Sequence, residues 1–250
     1  MLNSLSGSLS NSLSNSLLNP KQRIDLHTHS LFSDGVLLPS EQLRRAVVKG
    51  YAAIAITDHA DASNLEDVLK GLRRFAEGQR DDFALIFLPG VELTHVAPRS
   101  IAPLARRAWE LGAALVVVHG ETIVEPMAPG TNAAAVACPD VDILAHPGLI
   151  ALEEARQAAA NGVYLEISSR GGHGLANGHV VRVASQAGAC MVVNSDTHTP
   201  DDMIDQETAR LVAVAAGLDA AGVDAATVTH PQALVRRALA RMGSSGKTVG

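Results

Sequence analysis

The sequence predicts a single α/β domain built on parallel strands, and three observations lead to this fold class. From Arg23 onward, short β-branched or Leu-rich runs alternate with longer segments of Ala, Arg and Glu. Hydrophobic residues make up 47% of the chain but aromatic residues only 3%, so the core must consist of Ala, Val, Leu and Ile. A chain of 250 residues can bury a large core. This composition favours helices packed on buried strands over an aromatic-rich β-sandwich.

The beginning of the chain differs from the rest in composition. Residues 1–20 are mainly Leu, Ser and Asn. Leu recurs every four residues, at Leu5, Leu9, Leu13 and Leu17. Because Ser and Asn compete with helix formation, we expect residues 1–21 to be a disordered, low-complexity leader. It lacks the basic start and continuous apolar centre of a secretory signal. Residues 22–250 are then expected to form the one domain.

Seven strands are predicted, and helical segments separate them. The strands lie near residues 24–27, 53–57, 84–92, 114–119, 141–145, 163–167 and 190–195. The helices run from Pro39 to near Gly50 and then over residues 64–78, 101–111, 131–137, 151–160, 178–187, 204–216 and 231–242. Ser40 is a candidate cap of the first helix, and most helices end near a glycine. Seven strand–helix units without a composition break predict one domain, either a closed barrel or an open doubly wound sheet.

Charge and cysteine content restrict the partners and the compartment. The formal net charge of −6 provides no basic surface, so we expect neither stable nucleic-acid binding nor membrane association, and a small substrate fits better. Cys138 and Cys190 lie in apolar surroundings without CxxC spacing, which argues against a disulfide or thiolate metal site. A reducing, cytoplasmic location follows by default. No apolar stretch reaches the roughly 18 residues of a membrane span.

Residue types that bind metal follow six of the seven predicted strands. They are His27 and His29 after the first strand, Asp58 and His59 after the second, Glu92 after the third, His119 after the fourth, His146 after the fifth, and Asp196 and His198 after the seventh. The C-terminal ends of barrel strands meet on one face, where active sites are built. Each of these residues alone could be a buried core histidine or a helix-capping carboxylate. Such structural roles would not concentrate the residues at the C-terminal ends of the strands.

Together with Asp34, nine residues are predicted to converge on this face. They are His27, His29, Asp34, His59, Glu92, His119, His146, Asp196 and His198. One ion takes three or four protein ligands, so nine ligands imply two or three divalent ions, with a carboxylate such as Glu92 as a bridge. Ligation rich in imidazole favours zinc, manganese or iron over magnesium or calcium. Such a cluster makes hydroxide at neutral pH and neutralises a phosphoryl oxygen, which suits phosphate-ester hydrolysis.

The same residues resemble the motifs of the PHP (polymerase and histidinol phosphatase) family. The similar segments are His27-Thr28-His29 with Ser33-Asp34-Gly35, Thr57-Asp58-His59, Gly90-Val91-Glu92, Val118-His119, Ala145-His146-Pro147 and Asp196-Thr197-His198. They occur in the family's order over roughly residues 23–198, with no polymerase region attached, as in the stand-alone phosphoesterases. The resemblance implies a distorted seven-stranded β/α barrel, similar to a TIM barrel, with a trinuclear metal site.

The resemblance also implies how the ligands are shared. One ion would bind His27, His29, Glu92 and Asp196; a second would bind Glu92, His119 and His146; a third would bind Asp34, His59 and His198. Glu92, Asp196 and His198 are therefore the expected catalytic residues. Asp58 is less often a ligand in such proteins, and we expect it to support the ligands from outside.

Substrate binding is predicted in the Gly-rich segment after the sixth strand. The guanidinium of Arg170 could hold a phosphate there, with Ser168 as a further hydrogen-bond donor. His173 and His179, in the same segment and the helix after it, could touch the substrate, but we expect both to be mobile surface residues. His95 is left out of the ligand set. Glu166, within the strand, is expected to pair with another buried group.

The preferred function is hydrolysis of a small phosphate monoester, of which histidinol phosphate is one candidate. A phosphodiesterase acting on a nucleotide or short oligonucleotide would use the same metals and different pocket walls. The complete ligand set argues against a non-catalytic interaction barrel, because a site that had lost its function should have lost ligands. A hydrolase of carbon–nitrogen bonds is disfavoured because such sites commonly hold one or two ions, and nine ligands are more than these ions need. The substrate and the oligomeric state stay open.

Overall fold

Strands and helices alternate along the computed structural model, which describes residue 19, residues 21–79 and residues 82–245. The strands are β1 (Arg23–Asp25), β2 (Tyr51–Ile56), β3 (His59–Ala60), β4 (Ile86–Leu93), β5 (Leu115–His119), β6 (Ile143–Ala145), β7 (Tyr164–Ser168) and β8 (Met191–Asn194). The helices are α1 (Pro39–Val48), α2 (Leu65–Gln79), α3 (Pro98–Glu110), α4 (Thr131–Ala137), α5 (Leu152–Asn161), α6 (Asn177–Ala187), α7 (Gln206–Ala215), α8 (Ala220–Asp224) and α9 (His230–Ser245). Nearly all of the predicted leader lies outside the described residues.

The sheet is parallel and follows the chain order β1-β2-β4-β5-β6-β7-β8. The short β3 continues the second predicted strand after an interruption at Thr57 and Asp58, and there His59 pairs with Glu92 of β4. Apart from this extension, the seven predicted strands are confirmed. In the described residues no helix is both long and apolar enough to cross a membrane.

The barrel is closed between β8 and β1, at a junction that we call the seam. Beyond the ends of both strands, the Asp196 amide donates to the His27 carbonyl at 3.0 Å and the His29 amide donates to the Thr197 carbonyl at 2.8 Å. Closer to the two strands, a side chain takes the place of backbone-to-backbone hydrogen bonds, because the Leu26 amide donates to Asn194 Oδ1 at 3.0 Å. The closed barrel is therefore confirmed, and the open doubly wound sheet is wrong.

The apolar core has two layers because alternate strand residues face opposite sides. The larger layer joins the strands to the surrounding helices. The smaller one contains Ala53, Ala55 and Ala145 together with Leu234 and Val235 of α9. Small side chains suit the inside of a narrow barrel, and the last helix covers its N-terminal end.

Two features of the helices differ from the prediction. Helix α1 begins at Pro39 after an extended Leu38 and has no side-chain cap, so Ser40 lies inside the first turn and the predicted cap is wrong. A proline at the first position already fixes the backbone for helix entry. Helix α8 and the π-helical turn Ala225–Thr229 that follows it were not predicted.

Candidate metal centre

The two histidines after β1 point to the same side of the chain. Backbone pairing with the segment after β8 continues beyond β1, which keeps residues 27–29 extended. In an extended segment alternate side chains share a face. The Nε2 atoms of His27 and His29 accordingly lie 3.1 Å apart, and both side chains are fully buried.

Glu92, at the end of β4, is the centre around which the imidazoles gather. Its carboxylate lies 3.3 Å from His27 Nε2, 3.6 Å from His29 Nε2, 3.6 Å from His146 Nε2 and 2.7 Å from His59 Nδ1. Burial alone would raise the pKa of Glu92, but His27 and His59 outweigh it and hold the pKa well below its usual range. The carboxylate is therefore ionised.

Asp196 joins this group from the end of β8. Its Oδ1 lies 3.3 Å from His29 Nε2 and 3.8 Å from His27 Nε2, and its Oδ2 lies 3.8 Å from His146 Nε2. Burial raises the pKa of Asp196 to about 7, against the attraction of His27. Both Asp196 (φ 53°) and His146 (φ 26°) have a positive φ, which is uncommon for residues other than glycine and is concentrated at functional sites.

A second group lies closer to solvent and contains Asp34, His59 and His198. Asp34 Oδ1 is 3.1 Å from His198 Nε2 and 3.5 Å from His59 Nε2. The loop that carries Asp34 is held by Asp58, which accepts hydrogen bonds from the Ser30 amide and the Ser33 hydroxyl at 2.7 Å each. Asp58 thus supports the site from outside, as predicted.

A third group contains His119, His146 and a residue outside the predicted ligand set, His173. Ligand atoms of these three lie within 4.8 Å of one another. The prediction of a mobile surface histidine is wrong: His173 is 6% exposed, and its Nδ1 is 2.9 Å from Thr122 Oγ1. Glu125, also not predicted, lies 3.1 Å from His119 Nε2 and 3.3 Å from His173 Nε2. His95 is half-exposed beside it.

The imidazoles of His27 and His119 are oriented so that Nε2 faces the cluster. His27 Nδ1 is 2.8 Å from Glu166 Oε2, and His119 Nδ1 is 3.1 Å from the Gly120 carbonyl. A carboxylate and a carbonyl only accept hydrogen bonds, so both Nδ1 atoms carry protons and a neutral ring presents a lone pair at Nε2. Metal-binding histidines are held in this way. Glu166 is thus the partner of His27, which agrees with its expected pairing with a buried group.

The two predicted substrate-binding residues lie in different environments. Arg170 lines the cleft, donates from Nη1 to the Asp196 carbonyl at 2.9 Å, and contacts His198 Nδ1. Ser168 is 1% exposed, and its hydroxyl accepts a hydrogen bond from the Arg170 amide at 3.2 Å. Ser168 therefore lies beneath the cleft and shapes the turn that presents Arg170, rather than facing a substrate.

The donor set fits divalent cations. Glu92 Oε1 is buried without a hydrogen-bond partner, although histidine nitrogens lie 3.3 and 3.6 Å away. Burial and neighbouring imidazoles hold the pKa values of His29 and His146 well below the usual range, so both rings are neutral and have lone pairs to offer. Neutral imidazoles cannot offset buried carboxylate charge, whereas a cation between them would do so and would occupy the remaining lone pairs. The three groups meet in one cleft of about 420 Å³.

Comparison with known proteins gives two kinds of match. A PHP domain model matches residues 25–125. The uncharacterized protein MJ1295 of Methanocaldococcus jannaschii is 45% identical over 218 residues, which are 86% of this chain and 99% of that protein. The 5′-3′ exoribonuclease Rnm of Salmonella typhimurium is 36% identical over only 72 residues, 29% of this chain and 22% of that enzyme.

Solved structures share the fold at low sequence identity. A chain in the cryo-EM structure of archaeal ribonuclease P with mature tRNA has a TM-score of 0.64 at 15% identity and covers 91% of this chain and 95% of its own. Histidinol phosphate phosphatase from Lactococcus lactis, complexed with zinc, L-histidinol and phosphate, has a TM-score of 0.51 at 15% identity and covers 87% and 94%. The PHP domain model spans the segment that carries His27, Glu92 and His119, and the M. jannaschii protein matches along almost its whole length. The chain belongs to the PHP domain family.

Proposed function

We propose that the protein is a metal-dependent phosphoesterase that hydrolyses small phosphate monoesters. The observation that carries the proposal is the gathering of four imidazoles within 3.6 Å of the buried Glu92 carboxylate, beneath a cleft that His119, Asp196 and His198 line. Membership of the PHP domain family and the shared fold with a histidinol phosphate phosphatase support it. The free cysteines Cys138 and Cys190 support a reducing, cytoplasmic compartment.

We assign the nine predicted residues to two or three ions of zinc, manganese or iron. His27, His29, Glu92 and Asp196 would hold one ion, Glu92 with His119 and His146 a second, and Asp34, His59 and His198 a third. The distances between these side chains, mostly 3.1 to 3.8 Å, support each group. Bound divalent ions supply Lewis-acid stabilisation of phosphoryl charge and a nucleophilic water at neutral pH.

The chain's own residues bind and orient the substrate. Arg170 places a guanidinium at the wall of the cleft beside Asp196 and His198, where it can pair with a phosphate oxygen. Glu166 holds the His27 ring through Nδ1, so the orientation of that ligand does not depend on the substrate. No side-chain nucleophile is required, and neither Cys138 nor Cys190 lines the cleft.

A second candidate function is phosphodiester hydrolysis of nucleotides or short oligonucleotides. The local similarity to the exoribonuclease Rnm favours it, although that similarity covers 72 residues only. The two functions would use the same ligands and differ in the walls of the cleft.

A substrate screen with metal-reconstituted protein tests the proposal. Phosphomonoesters, cyclic nucleotides and oligonucleotides are each incubated with protein loaded with zinc, manganese or iron. We expect inorganic phosphate to be released from monoesters. Shortened oligonucleotides without cleavage of monoesters would favour the second candidate, and fully loaded protein that turns over nothing would favour a non-catalytic barrel.

Replacing Arg170 tests its phosphate role separately. Arg170→Ala removes a charge-assisted hydrogen bond worth about 1.5–3 kcal/mol, so KM should rise by about 10-fold or more with kcat little changed. Arg182→Ala, on helix α6, is the matched control, because its side chain is bonded to His179 outside the cleft. An Arg170→Ala variant with the parent's KM would remove this role, and a fall in kcat would mean that the contact strengthens in the transition state.

A further inference from the structure

His173 and Glu125 lie in the metal cleft, yet neither belongs to the nine residues assigned above. His173 begins a 3-10 turn (His173–Ala176) after β7, the strand end from which no ligand is assigned. Glu125 lies in the loop between β5 and α4. The two side chains meet at 3.3 Å, with His173 buried and Glu125 partly exposed at the cleft wall.

We propose that His173 and Glu125 are additional ligands of the ion beside His119 and His146. This inference rests on the proposed metal-dependent function and extends the ligand set of one of its ions. It gives that ion two ligands from loops that the sequence motifs do not mark.

The distances around Glu125 support ligation by both residues. Three imidazole Nε2 atoms face its carboxylate, at 3.1 Å from His119, 3.3 Å from His173 and 3.7 Å from His95. Ligands held about 2.0–2.1 Å from one zinc ion, at angles of about 90–120° to one another, lie roughly 2.9–3.6 Å apart, and the two shorter distances fall in that range. His95 is half-exposed and is the most distant of the three, so we leave it outside the ligand set.

The orientation of His173 also suits a ligand. Its ring stacks on that of His146 with centroids 4.0 Å apart and planes inclined by 23°. Thr122 Oγ1 bonds its Nδ1, so Nε2 is the atom turned towards Glu125 and, at 3.9 Å, Asp196. A ring fixed through Nδ1 by a neighbouring group is the usual arrangement for an imidazole that binds metal through Nε2.

A fuller ligand set distinguishes this ion from the one beside Asp34. We call the ion beside His119 and His146 the inner ion. It would keep few open positions, as structural metal sites do, because five side chains would surround it: Glu92, His119, His146, His173 and Glu125. The Asp34 side chain is 57% exposed, and its group, Asp34 with His29, His59 and His198, offers at most four ligands. We therefore expect the inner ion to be held more tightly and the Asp34 ion to be released first.

Metal-binding measurements on variants test the inference. His173→Gln and Glu125→Gln are loaded with zinc and dialysed against buffers of decreasing free zinc, and retained metal is measured by elemental analysis. We expect one equivalent to be bound about 10- to 100-fold more weakly in each variant, while the others stay unchanged. Cobalt-substituted protein should show an altered visible absorption band in the same variants.

The controls are a histidine and a glutamate outside the cleft. His179→Gln loses a bond to the Ile150 carbonyl, and Glu153→Gln alters a carboxylate that is 79% exposed, so both should bind metal like the parent. Unchanged zinc affinity and cobalt absorption in both test variants would overturn the inference. Glu125→Gln decides alone if His173→Gln does not fold, because Glu125 is partly exposed on a loop. A parent protein that retains no ion would instead contradict the proposed function itself.

Discussion

The two ends of the barrel bury acidic residues in different ways. At the N-terminal end, Asp25 pairs with Arg23 at 3.1 Å, and Asp142 pairs with Arg237 at 2.6 Å and Arg241 at 2.9 Å. At the C-terminal end, Glu92 is surrounded by four imidazoles. The low pKa values of His29 and His146 leave these two rings neutral, whereas the raised pKa values of His27 and His59 favour their protonated forms in the metal-free protein. Arginine stays charged at any physiological pH, so the N-terminal end is balanced by the chain itself. The C-terminal end depends instead on protons bound to His27 and His59, which are lost as pH rises, or on a bound cation.

Backbone strain follows the same division. Within the described residues, a positive φ at a residue other than glycine occurs at His95, His146 and Asp196, and all three line the metal cleft. Each such conformation costs of order 1–3 kcal/mol unless the surroundings stabilise it. Among the described residues, backbone strain of this kind therefore occurs at the end that carries the candidate metal ligands, and not at the N-terminal end, where arginines pair with Asp25 and Asp142.

The largest expected effect is that of removing the central carboxylate. Glu92→Ala takes away the proposed bridge between two ions and the group nearest to four imidazoles, so turnover should fall by about 10³-fold or more. Steady-state kinetics and metal content of the purified variant measure this. If the variant kept its turnover and its full metal content, Glu92 would not bridge two ions, and the contrast between the two ends of the barrel would not hold for this carboxylate.

Removing metal should reverse the pH dependence of stability. Burial opposes protonation of His27, but Glu166, Glu92 and Asp196 outweigh it and raise its pKa well above 6.5; Glu92 likewise raises the pKa of His59. A raised pKa gives stability at low pH that is lost as pH rises through it. For Asp196 this loss is complete at about pH 7, and for His27 it continues above pH 6.5. The low pKa values of His29 and His146 add nothing further above pH 6.5, because both states are then neutral.

We therefore expect metal-free protein to lose stability as pH rises above about 6.5, the ordinary pKa of histidine. Metal-loaded protein should gain stability over the same interval, since protons no longer compete for the ligands. Denaturant unfolding at several pH values, with and without chelator, checks both slopes. Parallel slopes for the two forms would contradict the expected cation requirement at this end.

A substitution at the N-terminal end of the barrel should have a smaller effect, and it should change stability alone. Asp142→Ala leaves Arg237 and Arg241 without their carboxylate and removes a hydrogen bond from the Val116 amide. Both arginines are about one-third exposed and can be rehydrated, so the free energy of unfolding should fall by about 1–3 kcal/mol. Zinc content and turnover per folded molecule should match the parent, and a loss of metal would show that the two ends are coupled.

The smallest effect is expected from the cysteines. Neither lines the cleft, and burial raises the pKa of both thiols, which keeps them protonated and unreactive. Replacing Cys138 and Cys190 by Ala should leave turnover nearly intact and lower the free energy of unfolding by about 1 kcal/mol at the buried Cys138. A trapped phosphoenzyme, or activity lost with either thiol, would exclude direct attack by water.

The sequence predicts the ligands that follow strands directly, for a physical reason. A short buried run such as Leu115–His119 ends where the chain leaves the core, and a polar residue at that point has to face the end of the barrel. His27, Glu92, His119 and Asp196 are all of this kind. Their convergence depends only on the strands being parallel, so no detail of the loops was needed.

Residues in loops could not be located in this way. His173 is five residues beyond β7, and its burial depends on the turn packing back against Thr122 and Val124 of another loop. Glu125 has no periodic or spacing signal at all. Ser168 is different, because it shares a strand face with Glu166, and the period of two could have shown that both side chains point into the barrel.

The seam has a consequence for how the barrel holds together. The segments that close it, after β1 and after β8, carry His27 and His29 on one side and Asp196 on the other, and the Ser195 amide bonds Asp25 across 170 residues of chain. An ion shared by these side chains would act as a crosslink between the two ends of the barrel wall, where side chains rather than a continuous ladder join the strands. The candidate metal site would then also hold the barrel closed, so we expect a substitution that weakens metal binding to loosen the seam as well.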